Sequence, residues 1–529
     1  MKTVAFLLCA AALSQAADYT LGPDSQPQPG VPKGTVTKYK LEPGKFYPGT
    51  PHNYSVYVPA QYDAAKPTPF MIYLDGSGAL GNGTRVPVVF DNLIFKHDLP
   101  PMIGIFIDPG VLPAANPDAM NRFERVFEYD SMSDRFANFL IGELIPEVGK
   151  KYNLSKNPDD RGLSGNSTGA VGAFMAAWNR PDQFHRVLSF IGTYVAMKGA
   201  DSLPALIRKS EPKPIRVFLQ DGKIDHIVPG QPWGTFYAGS WPINNQVMWE
   251  ALQFAGYDVK LEIGEDGHSG RQGAAIMPDA LRWLWRGYPQ PVAVHEPASM
   301  AEKGYDPRGR VYSIVSADKP WEQVGAEYAF LFSPAGDKDG NVFFADGGGH
   351  IYKSDSNGKA TPFRENVLAM ALAMGPDGRL YASLPGKHRI VSYGPSDEKA
   401  VAENVDATAL AITARGGIYY LNGFNRNIGY VDSQGVSRTV WSGGGLANPH
   451  AIALSPDQAM LIVTDSQARY SWSLQIAPDG SLVNGEPFYR LEMPESGWSS
   501  GVEGVTEDST GQLYFATPLG IQVCEANGR

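Results

Sequence analysis

Arg161-Gly162-Leu163-Ser164-Gly165-Asn166-Ser167-Thr168-Gly169-Ala170 is the stretch on which the reading of this chain turns. Within it, residues 165–169 spell Gly-x-Ser-x-Gly. In that pattern a buried strand enters a sharp turn, a Ser stands at the apex, and a helix departs; the flanking glycines let strand and helix approach closely. A Ser hydroxyl is a poor nucleophile until a base takes its proton, so an exposed apex beside a base is what activation requires. Here residues 161–165 read as the strand end and 170–178 as the helix, whose N-terminus favours a developing negative charge. Ser164 is a decoy, because no Gly lies two residues beyond it.

Working outward, residues 69–74 and 103–107 are continuous apolar runs, the mark of strands buried on both faces. Residues 187–191, 215–220 and 260–263 extend the series, while 35–41 and 53–59 alternate polar and apolar as half-buried antiparallel strands do. Residues 134–151, 245–255 and 274–285 carry apolar positions at helical spacing. Buried strands alternating with helices predict a mostly parallel sheet covered by helices on both sides, an α/β fold over residues 35–289.

On such a fold the nucleophile's partners follow it in the order acid, then His. His268, in Glu265-Asp266-Gly267-His268-Ser269-Gly270, sits in the loop after the strand at 260–263 and is the candidate base. His185, His226, His52, His97 and His295 lie away from that position. Asp225 follows the strand at 215–220, three residues after Gly222 and just before Val228-Pro229, and is the candidate acid that orients the imidazole; Asp221 remains the alternative. The oxyanion formed on attack needs preorganised donors. The backbone N–H of Thr168 is one candidate, and that of Gly76 or Ser77, in the turn Leu74-Asp75-Gly76-Ser77-Gly78, is the other.

The chain has 529 residues, more than one hydrophobic core usually supports, which predicts two domains. Its 43% hydrophobic and 19% charged residues are those of a globular protein. A net charge of −10 without Lys/Arg clusters disfavours nucleic acid and points to a neutral or weakly charged small-molecule or carbohydrate substrate. Lys2, the apolar run 4–13 and Ser14-Gln15-Ala16 read as a signal peptide over residues 1–16, so a secreted or periplasmic protein without a membrane anchor is expected. Residues 17–34, rich in Pro and Gly, read as a mobile lead-in. Removal of Cys9 with the signal would leave Cys524 alone, which excludes an intrachain disulfide and a Cys-rich metal site.

Residues 165–169 together with Trp178-Asn179-Arg180-Pro181-Asp182-Gln183-Phe184, Phe218-Leu219-Gln220-Asp221-Gly222, Gly267-His268 and Phe127-Glu128-Tyr129-Asp130 resemble enterochelin-esterase-like and carbohydrate-esterase-family-1-like α/β-hydrolases. The resemblance covers residues 35 to 289 and implies hydrolysis of carboxylic esters without a cofactor. It does not choose among siderophore, feruloyl, acetyl and simple acyl esters. Glu128 and Tyr129 are candidates to line the substrate pocket, as are the aromatic residues beside the acid loop, Trp233, Phe236, Tyr237 and Trp241. Short acyl or feruloyl-type esters of carbohydrates are the expected substrates.

Residues 290–309 are polar and aperiodic and read as a linker. Beyond them a unit recurs at roughly 35- to 55-residue spacing. It is visible at Asp339-Gly340-Asn341, Pro376-Asp377-Gly378, Arg415-Gly416-Gly417, Pro456-Asp457-Gln458 and Ser509-Thr510-Gly511, each before an alternating strand. The texture is that of an all-β propeller over residues 310–529, and residues 311–314 are expected to close a six-bladed ring. The repeats resemble the gluconolactonase, regucalcin and senescence-marker-protein propellers, which hold a divalent cation with Glu, Asn and Asp. The matching positions here are Phe332, Thr408, His450 and Glu503, a poor set for a hard cation, so no metal is expected. Two alternatives to a serine esterase stay open: a metal-dependent lactonase in the propeller, and a catalytically dead carbohydrate-binding protein.

Overall fold

The structure, a computed structural model, describes residues 19–116, 119–226, 238–293, 321–323, 325–328, 330–442, 444–494 and 497–528. The expected signal peptide, nearly all of the expected linker, the strand at 311–314, and Trp233, Phe236 and Tyr237 lie outside these residues. The chain divides into two compact units, at Asp318/Lys319.

The first unit is built on one eight-stranded sheet. Its strands are β1 (Thr35–Leu41), β2 (His52–Val58), β3 (Phe70–Leu74), β4 (Ile103–Ile107), β5 (Arg161–Asn166), β6 (Arg186–Phe190), β7 (Arg216–Gly222) and β8 (Asp258–Gly264), in the order β1-β2-β4-β3-β5-β6-β7-β8. β1, β2 and β4 pair antiparallel, and every pair from β4 to β8 is parallel. The continuous apolar runs explain why the centre is buried on both faces. Phe70, Ile72 and Leu74 of β3 enter one hydrophobic cluster, while Met71 and Tyr73 enter a second on the opposite face.

Helices cover both faces: α1 (Gly76–Leu80), α2 (Val86–Phe95), α3 (Arg125–Tyr129), α4 (Arg135–Phe139), α5 (Ile145–Gly149), α6 (Thr168–Asn179), α7 (Leu203–Lys209), α8 (Trp241–Phe254) and α9 (Arg271–Trp285). The single helix expected over 134–151 is interrupted by a π-turn at Leu140–Leu144. Pro146 accounts for the interruption, because it offers no N–H and its ring crowds the carbonyl four residues back.

The lead-in expected to be mobile is instead docked from residue 19 on. A short 3-10 turn, Pro23–Ser25, buries Ser25, and Asn92 Nδ2 donates to the carbonyls of Asp24 and Gln26 at 2.8 and 2.9 Å. The Asp24 carboxylate lies between Lys96 and Arg282, with Arg282 Nη2 donating at 2.5 Å. These partners are remote in sequence, so Pro and Gly content alone misread the segment.

The second unit is a propeller of five sheets among the described residues, not the six blades expected. Four sheets have four antiparallel strands, at residues 331–365, 371–403, 409–441 and 449–490; the fifth, at 504–524, has three. Each of the five turn units legible in the sequence joins the first two strands of one sheet. In four of these turns a Gly takes φ between 75° and 87° (Gly340, Gly378, Gly416 and Gly511), and Gln458 takes φ 59° in the other. The N–H at each of these positions closes the turn onto the carbonyl three residues earlier.

Candidate active site

Ser167 sits between β5 and α6 with φ 58° and ψ −122°, a backbone conformation costly for any residue but Gly. Sterics dictate the glycine before it. A Cβ on Gly165 would lie 2.0 Å from the Gly169 carbonyl oxygen, so only Gly lets strand and helix close on each other. The Ser167 N–H donates to Phe190 O at 2.9 Å and its carbonyl accepts from Thr193 N at 3.2 Å, which anchors the strained residue to the end of β6.

His268 lies in the loop between β8 and α9, and Asp225 in the loop after β7. His268 Nε2 is 2.9 Å from Ser167 Oγ, and His268 Nδ1 is 2.7 Å from Asp225 Oδ2. The three expected residues therefore form one hydrogen-bonded relay, although 101 and 43 positions separate the two bonded pairs in sequence. Asp225 is fully buried and His268 partly exposed. The rings of Trp241 and His226 pack against the imidazole, at centroid distances of 5.4 and 4.7 Å. Burial pulls the His268 pKa down; the Asp221 carboxyl opposes this and the Arg125 charge adds to it.

Asp221, the alternative acid, does not meet His268. One of its oxygens accepts from Gly222 N at 2.8 Å and the other from Asn245 Nδ2 at 3.1 Å. Burial pushes both carboxyls up, Asp221 further than Asp225.

As the first residues of α6 and α1, Thr168 and Gly76 present N–H groups with no intrahelical acceptor. Ser77 does not serve: its N–H donates to Asp108 Oδ1 at 2.8 Å, because the expected turn is the start of α1. Two residues expected to line the pocket are core instead. Glu128 is fully buried, 3.0 Å from His52 Nε2 and accepting from Gly110 N at 3.0 Å. Tyr129 is 1% exposed, and its hydroxyl accepts from Asp75 N at 3.3 Å. Trp241 is also buried and supports the relay rather than a ligand, while Trp233 lies outside the described residues.

Two neighbours of the relay carry no sequence motif. Thr193 Oγ1 is 3.0 Å from Ser167 Oγ. Arg125, on α3, grips the Asp75 carboxylate through Nε at 2.7 Å and Nη2 at 2.6 Å. Asp225, His226 and His268 also bring donor atoms within 4.8 Å of one another, close enough for a metal ion, but Asp225 and His268 are already bonded to each other. Among the described residues no comparable cluster occurs in the second unit. There Thr408 Oγ1 donates to Leu421 O and accepts from Gly423 N.

The Esterase family model matches residues 47–274, which include Ser167, Asp225 and His268. A Bacillus subtilis (strain 168) protein described as uncharacterized protein YbbA is 23% identical over 193 residues, covering 36% of this chain and 72% of its own. A gluconolactonase of Zymomonas mobilis is 24% identical over 261 residues, covering 41% of this chain and 73% of its own. Among solved structures, the enterobactin esterase of Shigella flexneri aligns at 18% identity and a TM-score of 0.40. That alignment covers 51% of this chain and 63% of the enterobactin esterase. With the family model matched from β2 through the nucleophile turn to the loop of His268, residues 47–274 form an esterase domain, the domain of a carboxylic ester hydrolase.

Proposed function

We propose that this protein is a serine esterase working through an acyl-enzyme. The observation that carries the reading is the relay Asp225–His268–Ser167, with contacts of 2.7 and 2.9 Å. His268 Nε2 takes the proton of Ser167 Oγ as that oxygen attacks the ester carbonyl, and Asp225 holds Nδ1–H and stabilises the imidazolium. The N–H groups of Thr168 and Gly76 receive the oxyanion. Collapse expels the alcohol, which takes its proton from His268. Water then enters, gives a proton to the same nitrogen, and releases the acid.

The substrates we infer are neutral esters, short acyl or feruloyl-type esters of carbohydrates. The net charge of −10, with no basic cluster in the sequence, supports a substrate of low charge. Export with loss of residues 1–16 belongs to the same proposal, on the apolar run and small residues of that segment. Replacing Ser167 by Ala is expected to lower p-nitrophenyl acetate hydrolysis at least about 10⁴-fold with the fold retained. Retained activity sinks the assignment. A panel of methyl ferulate, acetylated xylan and naphthyl acyl esters tests the substrate class, and turnover of none of them rejects it.

A further inference from the structure

The two oxyanion donors stand on different strand ends. Gly76 follows β3 and Thr168 follows β5. The ladder between these strands pairs Phe70 with Arg161, Met71 with Gly162, Ile72 with Leu163 and Tyr73 with Ser164, and there it stops. Both donors lie beyond its last pair, so the sheet does not fix the distance between them. An oxyanion site depends on that distance, because its donors must already be in place when charge develops.

Arg125 spans the gap. Its Nε and Nη2 hold both oxygens of Asp75, the residue before Gly76, at 2.7 and 2.6 Å. The same Nη2 reaches Asn166 O, the carbonyl before Ser167, at 3.2 Å. A planar guanidinium can make this fork and the extra contact together; a Lys ammonium is a point charge without that geometry. The arrangement is seated from below. Arg125 lies over the Tyr129 ring at 5.7 Å, and the Tyr129 hydroxyl accepts the Asp75 N–H at 3.3 Å. Asp75 Oδ2 also lies 3.1 Å from where a Cβ on Gly169 would stand, so Asp75 presses against the first turn of α6. Asp75 itself has φ 53° and is held in a conformation that turns the chain sharply into α1.

We propose that Arg125 is a positioning residue of the esterase, a clamp that sets the spacing of the Gly76 and Thr168 N–H groups by tying Asp75 to Asn166. The proposal rests on the serine-esterase reading. Arg125 acts through the two loops and does not bind the substrate.

The test uses the full-length protein and p-nitrophenyl acetate, an uncharged ester. Arg125→Ala is expected to lower kcat by about 10- to 100-fold with KM within about twofold, since small misplacements cost rates of that order. Arg125→Lys, which keeps the charge but not the fork, is expected to fall between Ala and wild type. Added guanidinium ion is expected to restore part of the Arg125→Ala rate and none of the Ser167→Ala rate. The Asp75→Asn/Arg125→Ala double variant is expected to be no slower than the slower single variant, because the pair acts as one unit. A rise in KM at unchanged kcat would make Arg125 a substrate-binding group and overturn the clamp. An unchanged kcat in both Arg125 variants, or full additivity with Asp75→Asn, also overturns it. If the wild type itself lacks Ser167-dependent activity, the serine-esterase reading fails instead.

Discussion

In the proposed mechanism neutral imidazole is the form of His268 that accepts a proton, so its pKa places the acid limb of the pH–rate profile. Burial lowers that pKa from 6.5. The limb of kcat/KM against pH is therefore expected below pH 6.5, with activity lost only as His268 becomes charged at lower pH. Burial first, and then the neighbouring Asp225 carboxyl, push Asp221 up to about 9. Near neutral pH Asp221 then carries a proton. Asp221→Asn replaces one uncharged side chain by another of the same shape and is expected to leave kcat/KM within about threefold, whereas Asp225→Asn is expected to cost about 10⁴-fold. A downward shift of the limb in Asp221→Asn would mean that the variant had lost a negative charge near His268. The relay was legible in the sequence because each member follows a strand in a fixed order. Arg125 and Thr193 were not, since a fork to Asp75 and a hydroxyl contact to Ser167 bridge 50 and 26 positions with no spacing rule. Glu128 was misread for the converse reason. A carboxylate in a motif looks available until His52 and the Gly110 N–H are seen to hold it.

At the scale of elements, the recurring turns of the propeller make a controlled comparison. Gly378 takes φ 75°, and a Cβ there would meet nothing within 4 Å, so Gly378→Ala isolates the backbone cost of the left-handed conformation. It is expected to destabilise the unit by about 1 kcal/mol in thermal unfolding. Gln458 occupies the same turn position with φ 59°, and its side chain accepts the Ala414 N–H at 2.9 Å. Gln458→Gly relieves the strain and loses that hydrogen bond, so the net change is expected to stay within about 0.5 kcal/mol. Strand positions were readable from these turns because the left-handed residue fixes where each hairpin folds. The break at Leu140–Leu144 was less so, since the apolar spacing of residues 134–151 continues across Pro146 while the hydrogen-bond ladder does not.

Considered as a whole, the molecule divides into two compact units, each with hydrophobic clusters of its own. Calorimetry is therefore expected to resolve two transitions. Asp130, in the first unit, provides the assignment. Burial lifts its pKa to about 7, against a small opposing effect of Arg125 and Lys198. A carboxyl whose folded pKa is raised binds more protons folded than unfolded, so its contribution to stability is present at low pH and lost as pH rises from about 4 through about 7. Asp130→Asn is thus expected to raise the melting temperature of one transition by about 3 °C at pH 8, with little gain at pH 5 and no change in the other transition. The texture of the sequence changes near residue 290, and the chain divides at Asp318/Lys319. The number of blades was not legible, because an explicit turn marks a hairpin but does not reveal whether a sixth sheet assembles.

The contact between Gly165 and Gly169 has a consequence for evolutionary drift. What demands glycine at position 165 is the approach of a strand to a helix backbone, and that demand persists whether or not Ser167 still reacts. A descendant that had lost its hydroxyl or imidazole would keep the glycine spelling as long as it kept the fold. On the proposed mechanism, ancestry of the turn and survival of the chemistry are thus recorded in different letters: the first at 165, the second at 167, 225 and 268.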